Sequence, residues 1–279
     1  MNDRINQPNQ ILVLNTRRGF LALVVGFSAT VLVSSCLACS GVILLTSFGA
    51  AVTLGVVCVV VHLCSMWTML GPSSYLVNSF LSLVALSIVT LAYWLPICWV
   101  DQGPYVVIGL TFISIILFLN WFIVHLMFGG LRLLAGWRIR TILHPSKSAF
   151  SIFDVLTFTV VCALVLALIR GPDQSTRFFF LPELTTMAVF GVLKFAFISC
   201  PAIWVYLKTE FKPVYATRFT IYAICLFACI GIFIGSTGGP YMGLLAVVEL
   251  SLFTFSIVIT TKAFRRAGFV LATRGSLSR

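Results

Sequence analysis

The chain has 279 residues, 60% of them hydrophobic and 9% charged, and its 18 Lys/Arg against 7 Asp/Glu give a formal net charge of +11. Soluble domains are nearer half apolar and a quarter charged, so a water-soluble core is excluded, and a mean hydropathy of +1.11 points the same way. The composition is that of an all-α integral membrane protein.

In chain order, residues 1–18 form a short polar segment ending in Arg17 and Arg18. A hydrocarbon core about 30 Å thick takes roughly 20 apolar residues per helix. Eight runs near that length follow, at about 19–40, 42–68, 75–100, 105–128, 152–169, 184–207, 219–235 and 242–261. Between Gly19 and Leu70 no Asp, Glu, Lys or Arg occurs, which is too long for one helix and suits two. The cluster Ser34-Ser35-Cys36…Ser40-Gly41 is the expected hairpin. Residues 129–151 form a basic linker that divides a first transmembrane half (19–128) from a second (152–261), and residues 262–279 form a basic tail. In the linker, Arg132, Arg138 and Arg140 scatter around a helical wheel, so no amphipathic surface helix is expected there. Trp137 suits an interface anchor.

Placing the charges on this scheme puts 15 of the 18 Lys/Arg on one side, in 1–18, 129–151, 208–218 and 262–279. The other side holds Arg170 and Arg177 with the acids Asp101, Asp173 and Glu183. A bias of this size predicts both termini inside, with about eight spans. It also accounts for the net charge without nucleic acid, the expected partners being anionic lipids of the inner leaflet and other membrane proteins. A bacterial cytoplasmic membrane is the expected location.

Two targeting patterns stand at the start. Thr16-Arg17-Arg18-Gly19-Phe20-Leu21 resembles a twin-arginine export signal, and Val33-Ser34-Ser35-Cys36 loosely resembles a lipobox that would lipidate Cys36. Seven more apolar runs follow, so Arg17 and Arg18 are read as an inner anchor for the first helix and Cys36 as unmodified. The nine cysteines fall in or beside the runs, where a thiol behaves as a small apolar group. Cys36-x-x-Cys39 lacks a second pair, so no metal site is expected.

The halves echo one another. Gly103-Pro104-Tyr105 and Gly239-Pro240-Tyr241 precede the fourth and eighth runs, and Cys64…Trp67 answers Cys200…Trp204. A duplication of four helices would be a parallel repeat about an axis along the membrane normal. The second half opens with a capping box, Ser151-x-x-Asp154. Phe150-Ser151-Ile152-x-Asp154-Val155-Leu156 also resembles a helix opening seen in many uncharacterised membrane proteins of planctomycete-type bacteria. That resemblance covers about 20 of the 279 residues and implies origin, not activity.

Two charges fall inside runs. An ionised group at mid-bilayer costs about 2.5–3.5 kcal/mol even on the lenient insertion scale, so Lys194 and Glu249 should face a partner or a wet cavity. Counted from Glu183 and Tyr241, they lie roughly 16 Å and 12 Å below the outer surface, within about 4 Å of one another in depth. A lysine stem spans that difference, and an ion pair is expected. His62 and His125 lie near the inner ends of their runs; each is expected as a hydrogen-bonded core residue, with approach at one depth as the alternative. Pro96 and Pro201 should kink their helices. Gly231-x-x-x-Gly235 and Gly239-x-x-x-Gly243 allow close helix packing.

No catalytic motif or cofactor-binding pattern occurs, so the chain is not expected to be an enzyme. Three readings remain: a small-solute or ion transporter using Lys194 and Glu249, a non-catalytic scaffold or subunit of a membrane complex, and, disfavoured for want of a nucleophile–base or metal-ligand cluster, an intramembrane enzyme. A membrane-spanning cavity beside the pair would favour transport; a dry, packed pair would favour the scaffold.

Overall fold

A computed structural model describes residues 25–39, 43–71, 75–100, 104–141, 189–208 and 210–273. The elements in order are α1 (Val25–Ala38), α2 (Ile43–Leu70), α3 (Tyr75–Val100), α4 (Pro104–Leu134), β1 (Arg138–Thr141), α5 (Val189–Leu207), α6 (Pro213–Gly238), α7 (Pro240–Arg266) and β2 (Phe269–Ala272). Among the described residues, six helices are long and apolar enough to cross a membrane, and α1 is a shorter apolar helix. The chain is an all-α, multi-pass membrane protein. The segment 1–18 with Arg17 and Arg18, the expected span over 152–169, the Ser151–Asp154 helix start and Gly103 all lie outside the described residues.

The helices start where local chemistry favours a start. Pro104, Pro213 and Pro240 each occupy the first helical position, where a missing N–H costs nothing and the fixed φ suits the helix. α3 occupies the span expected for it and carries Pro96 within it. α4 and α7 both end in a glycine turn that leads into a strand. Gly136 and Gly268 take φ of 67° and 86°, a left-handed conformation that disfavours any side chain.

α2 is the central helix, packed against α3, α4 and α7. One core joins Met66 and Leu70 of α2 to Phe128 of α4, Leu207 of α5 and Phe264 of α7. A second joins Cys58 and Val59 to Phe219, Phe253 and Ile257. The expected halves are therefore not separate bundles: their cores interleave through α2. α6 and α7 approach closely across Gly231 and Gly243, where a Cβ on Gly243 would lie 2.4 Å from the Gly231 carbonyl oxygen.

Three expectations need correction. Ser34, Ser35 and Cys36 do not form the hairpin; they sit in the last turns of α1, with Ser34 Oγ hydrogen-bonded to Thr53 Oγ1 of α2 at 2.7 Å. Buried hydroxyls that satisfy each other between helices need no turn. The linker does not begin at Gly129, because α4 runs on to Leu134. Gly129 accommodates the Met69 side chain, and buried Arg132 donates to the Met69 carbonyl, so these residues are bundle rather than loop. Linker and tail are not independent either. β1 pairs antiparallel with β2 in the register Arg138↔Ala272, Ile139↔Leu271, Arg140↔Val270 and Thr141↔Phe269. Lys208, just past α5, bridges to Leu271. The C-terminal ends of α2, α4, α5 and α7 thus gather at one end of the bundle, and it is the basic end.

Candidate functional site

The polar centre lies where α2, α5 and α7 meet, roughly 20 Å above the basic end along α5. α5 supplies Lys194, α7 supplies Glu249 and Phe253, and α2 supplies Gly55, Cys58 and His62. Lys194 is 6% exposed and its Nζ donates to Glu249 Oε1 in a close ion pair. The same ammonium donates to Cys58 Sγ at 3.5 Å and lies 5.7 Å from the centroid of the Phe253 ring. The Lys194 Nζ is therefore met by a carboxylate, a thiol and an aromatic face. Gly55 makes room for this arrangement. A Cβ there would sit 3.1 Å from the Glu249 backbone oxygen and 3.6 Å from its Cγ.

Towards the basic end, Ser199 Oγ and His62 Nδ1 form a hydrogen bond of 2.8 Å, with both residues buried. His62 stands edge-on to Phe253, centroids 5.0 Å apart, so Phe253 touches both the ammonium and the imidazole. His62 Nε2 is buried and has no hydrogen-bond partner among the described residues.

The alignment of Lys194 with Ser199 has a local cause. Pro201 has no N–H to give to the carbonyl of Phe197 and its ring crowds that carbonyl. The helix responds with a π-turn over Phe195–Ser199, in which the Cys200 N–H reaches back to the Phe195 carbonyl. The wider turn brings residues five apart closer to a common face, which a regular α-helix would not do. The expected kink at Pro201 is thus a π-turn.

Sequence reasoning placed Lys194 and Glu249 at one depth, and the structure brings them into contact. It does not bring His62 and His125 together. His125 Nε2 instead meets Tyr75 Oη at 2.7 Å, and its ring stacks at 4.9 Å on Trp121, so each histidine takes its own partners. Cys58 and Ser199 were missed. The i, i+4 spacing of Cys58 and His62 on α2 signals one of them, but Ser199 depends on the π-turn. Cys36 lies exposed on α1. Among the described residues no three His, Cys, Asp or Glu side chains gather where they would hold a metal.

No protein-family model, curated protein or solved structure matches the chain. Function therefore has to be read from the geometry of this centre.

Lys194 is buried and Glu249 partly buried in that geometry. Ser199 is fully buried, so the Ser199–His62 contact is not an accessible nucleophile and base. A groove of about 430 Å³ between α6 and α7 is apolar, lined by Gly231, Gly235, Gly243 and Val247 among others, and includes neither Lys194 nor Glu249. The centre joins α2, α5 and α7 at one level through a contact between opposite charges.

Proposed function

We propose that this chain is a non-catalytic membrane component, a scaffold or subunit of a membrane complex in a bacterial cytoplasmic membrane. The observation that supports it is the packed Lys194–Glu249 pair, with Cys58, Phe253 and the close approach of Gly55 gathered around it among the described residues. In this reading the pair is a bundle lock. Its attraction is strong in low dielectric, and either charge left alone there is costly. The proposed arrangement is eight spans with both termini inside. The clustering of four helix ends with the basic residues supports that sidedness. A weak duplication is part of the proposal: α2-α3-α4-β1 and α5-α6-α7-β2 share one order of elements, and the antiparallel β1–β2 register is one that a two-fold axis along the membrane normal would give.

A second reading, ion-linked transport through the same pair, draws support from the π-turn beside Lys194, a place where a helix can shift register. Proteoliposomes separate the two. Full-length chain is reconstituted and proton and sodium flux are followed with trapped dyes, alongside the double variant Lys194→Met/Glu249→Leu. The lock predicts flux equal to that of empty vesicles. It also predicts a double variant that stays folded, because two apolar residues of similar volume replace a buried pair at little cost. Flux in the native chain that the double variant loses while remaining folded would establish transport instead.

A further inference from the structure

The strand pair at the basic end has two unlike faces. Ile139, Phe269 and Leu271 turn inward and join the core with Phe128, Leu207 and Phe264. Residues directly opposite one another in a ladder share a face, so Arg138 with Ala272 and Arg140 with Val270 form the other side. The two arginines lie on one strand two residues apart, roughly 7 Å between Cα atoms. That spacing lets two guanidinium forks approach one tetrahedral oxyanion.

Nothing acidic in the described structure answers them. The described acids are Glu249, committed to Lys194, and Glu210, which is exposed and makes no ion pair. Arg140 Nε is buried and has no hydrogen-bond partner among the described residues, so a donor that normally finds an acceptor has none from the protein. Two neighbouring cations are already placed. Arg265 donates to the carbonyls of Tyr206 and Lys208, while Lys208 lies over Trp204 at 4.7 Å and Tyr215 at 5.9 Å. Trp204 and Tyr215 mark the level of a membrane–water interface, where indole and phenol rings accumulate, whereas Trp137, expected as an interface anchor, is buried in the core. A phosphodiester at this depth belongs to lipid.

We propose that Arg138 and Arg140, on the outward face of the β1–β2 pair, bind the phosphate of an anionic phospholipid headgroup. Guanidinium favours the fork-to-phosphate geometry, and both arginine side chains are partly exposed, so their terminal nitrogens can meet a headgroup. The proposal is independent of what the buried pair does, since it uses no residue of that centre.

The test uses full-length chain in detergent doped with equal phosphatidylglycerol and phosphatidylcholine, with bound lipid counted by native mass spectrometry. The native chain should retain phosphatidylglycerol preferentially. Arg138→Gln/Arg140→Gln should reduce that preference roughly 25-fold, each arginine contributing about fivefold. A charge-matched control, Arg218→Gln/Arg266→Gln, removes two exposed arginines that lie off the strand pair and should leave most of the preference intact. Equal losses in the two double variants would overturn the site in favour of diffuse attraction. If the glutamine pair unfolds, Arg138→Lys/Arg140→Lys decides, because it keeps the charge and loses the fork: an undiminished preference overturns the proposal. Glycerol phosphate at millimolar concentration should not displace the bound lipid. Displacement would show a free-phosphate site and overturn the assignment to lipid.

Discussion

α2 and α6 are equally apolar by hydropathy, yet two-thirds of the most apolar stretch of α2 is buried inside the protein and only 17% of that of α6 is. The difference lies in where their polar side chains make hydrogen bonds. On α2, Thr53 meets Ser34 of α1, His62 meets Ser199 of α5, Ser65 donates to the Trp121 carbonyl of α4, and Thr68 meets Ser82 of α3. On α6, Thr217, Thr220, Ser236 and Thr237 all donate to carbonyls of their own helix. Apolar side chains gain little by leaving lipid for protein, so hydropathy places a helix in the membrane and says little about which neighbours it has. Interhelical polar contacts and close packing decide that.

Thiol labelling offers the sharpest way to break this comparison. Cys225 and Cys229 are exposed on α6, whereas Cys58 and Cys64 are buried on α2. A membrane-soluble maleimide should modify the α6 pair within minutes and leave the α2 pair unmodified until the protein is denatured, as read by peptide mass mapping. Prompt labelling of Cys58 would show that α2 is not central.

The ion pair on α2's flank comes next. Glu249→Gln alone should lower unfolding stability in detergent by about 3–5 kcal/mol, since it leaves a buried lysine unpaired, and Lys194→Met by less, since Glu249 is only partly buried. The double variant Lys194→Met/Glu249→Gln should be less damaged than the sum, with a coupling of about 1–3 kcal/mol. Additive losses would mean that the two side chains do not meet.

Packing gives a matched pair. Met66→Ala on α2 removes a fully buried side chain and should cost about 2–5 kcal/mol. Ile232→Ala on α6, 73% exposed, should stay within about 0.5 kcal/mol. Similar costs in thermal melts would erase the distinction between core and lipid-facing helix.

The smallest effect separates the hydroxyls. Ser65→Ala breaks a bond between helices and should cost about 0.6 kcal/mol, at most about 1.7. Thr217→Ala breaks one within its own helix and should be neutral by the same melt.

Membrane class and the approximate spans were legible because they rest on run length and composition. α3 was found to the residue, and the shared depth of Lys194 and Glu249 followed from counting 1.5 Å rises along two helices of known direction. What was not legible depended on neighbours. The hydroxyls of Ser34 and Ser35 look like turn residues until Thr53 is set beside Ser34. Arg132 looks like linker until it finds the Met69 carbonyl. Arg138–Thr141 and Phe269–Ala272 each hold four residues, too short to signal a strand alone, and their partner lies far along the chain. Ser199 was hidden by the assumption of a regular helix, although Pro201 two residues on was the signal that the assumption would fail.

The β1–β2 ladder also sets an order on biosynthesis. β1 emerges from the ribosome about 130 residues before β2. At 5–20 residues per second, its edge therefore waits on the order of ten seconds with its backbone groups unmatched. During that interval the nascent chain presents an open strand beside a basic segment, a template for wrong pairing with another chain. A version terminated before Phe269 would keep all seven described helices and carry that open edge permanently. It would insert like the full chain and differ from it in self-association.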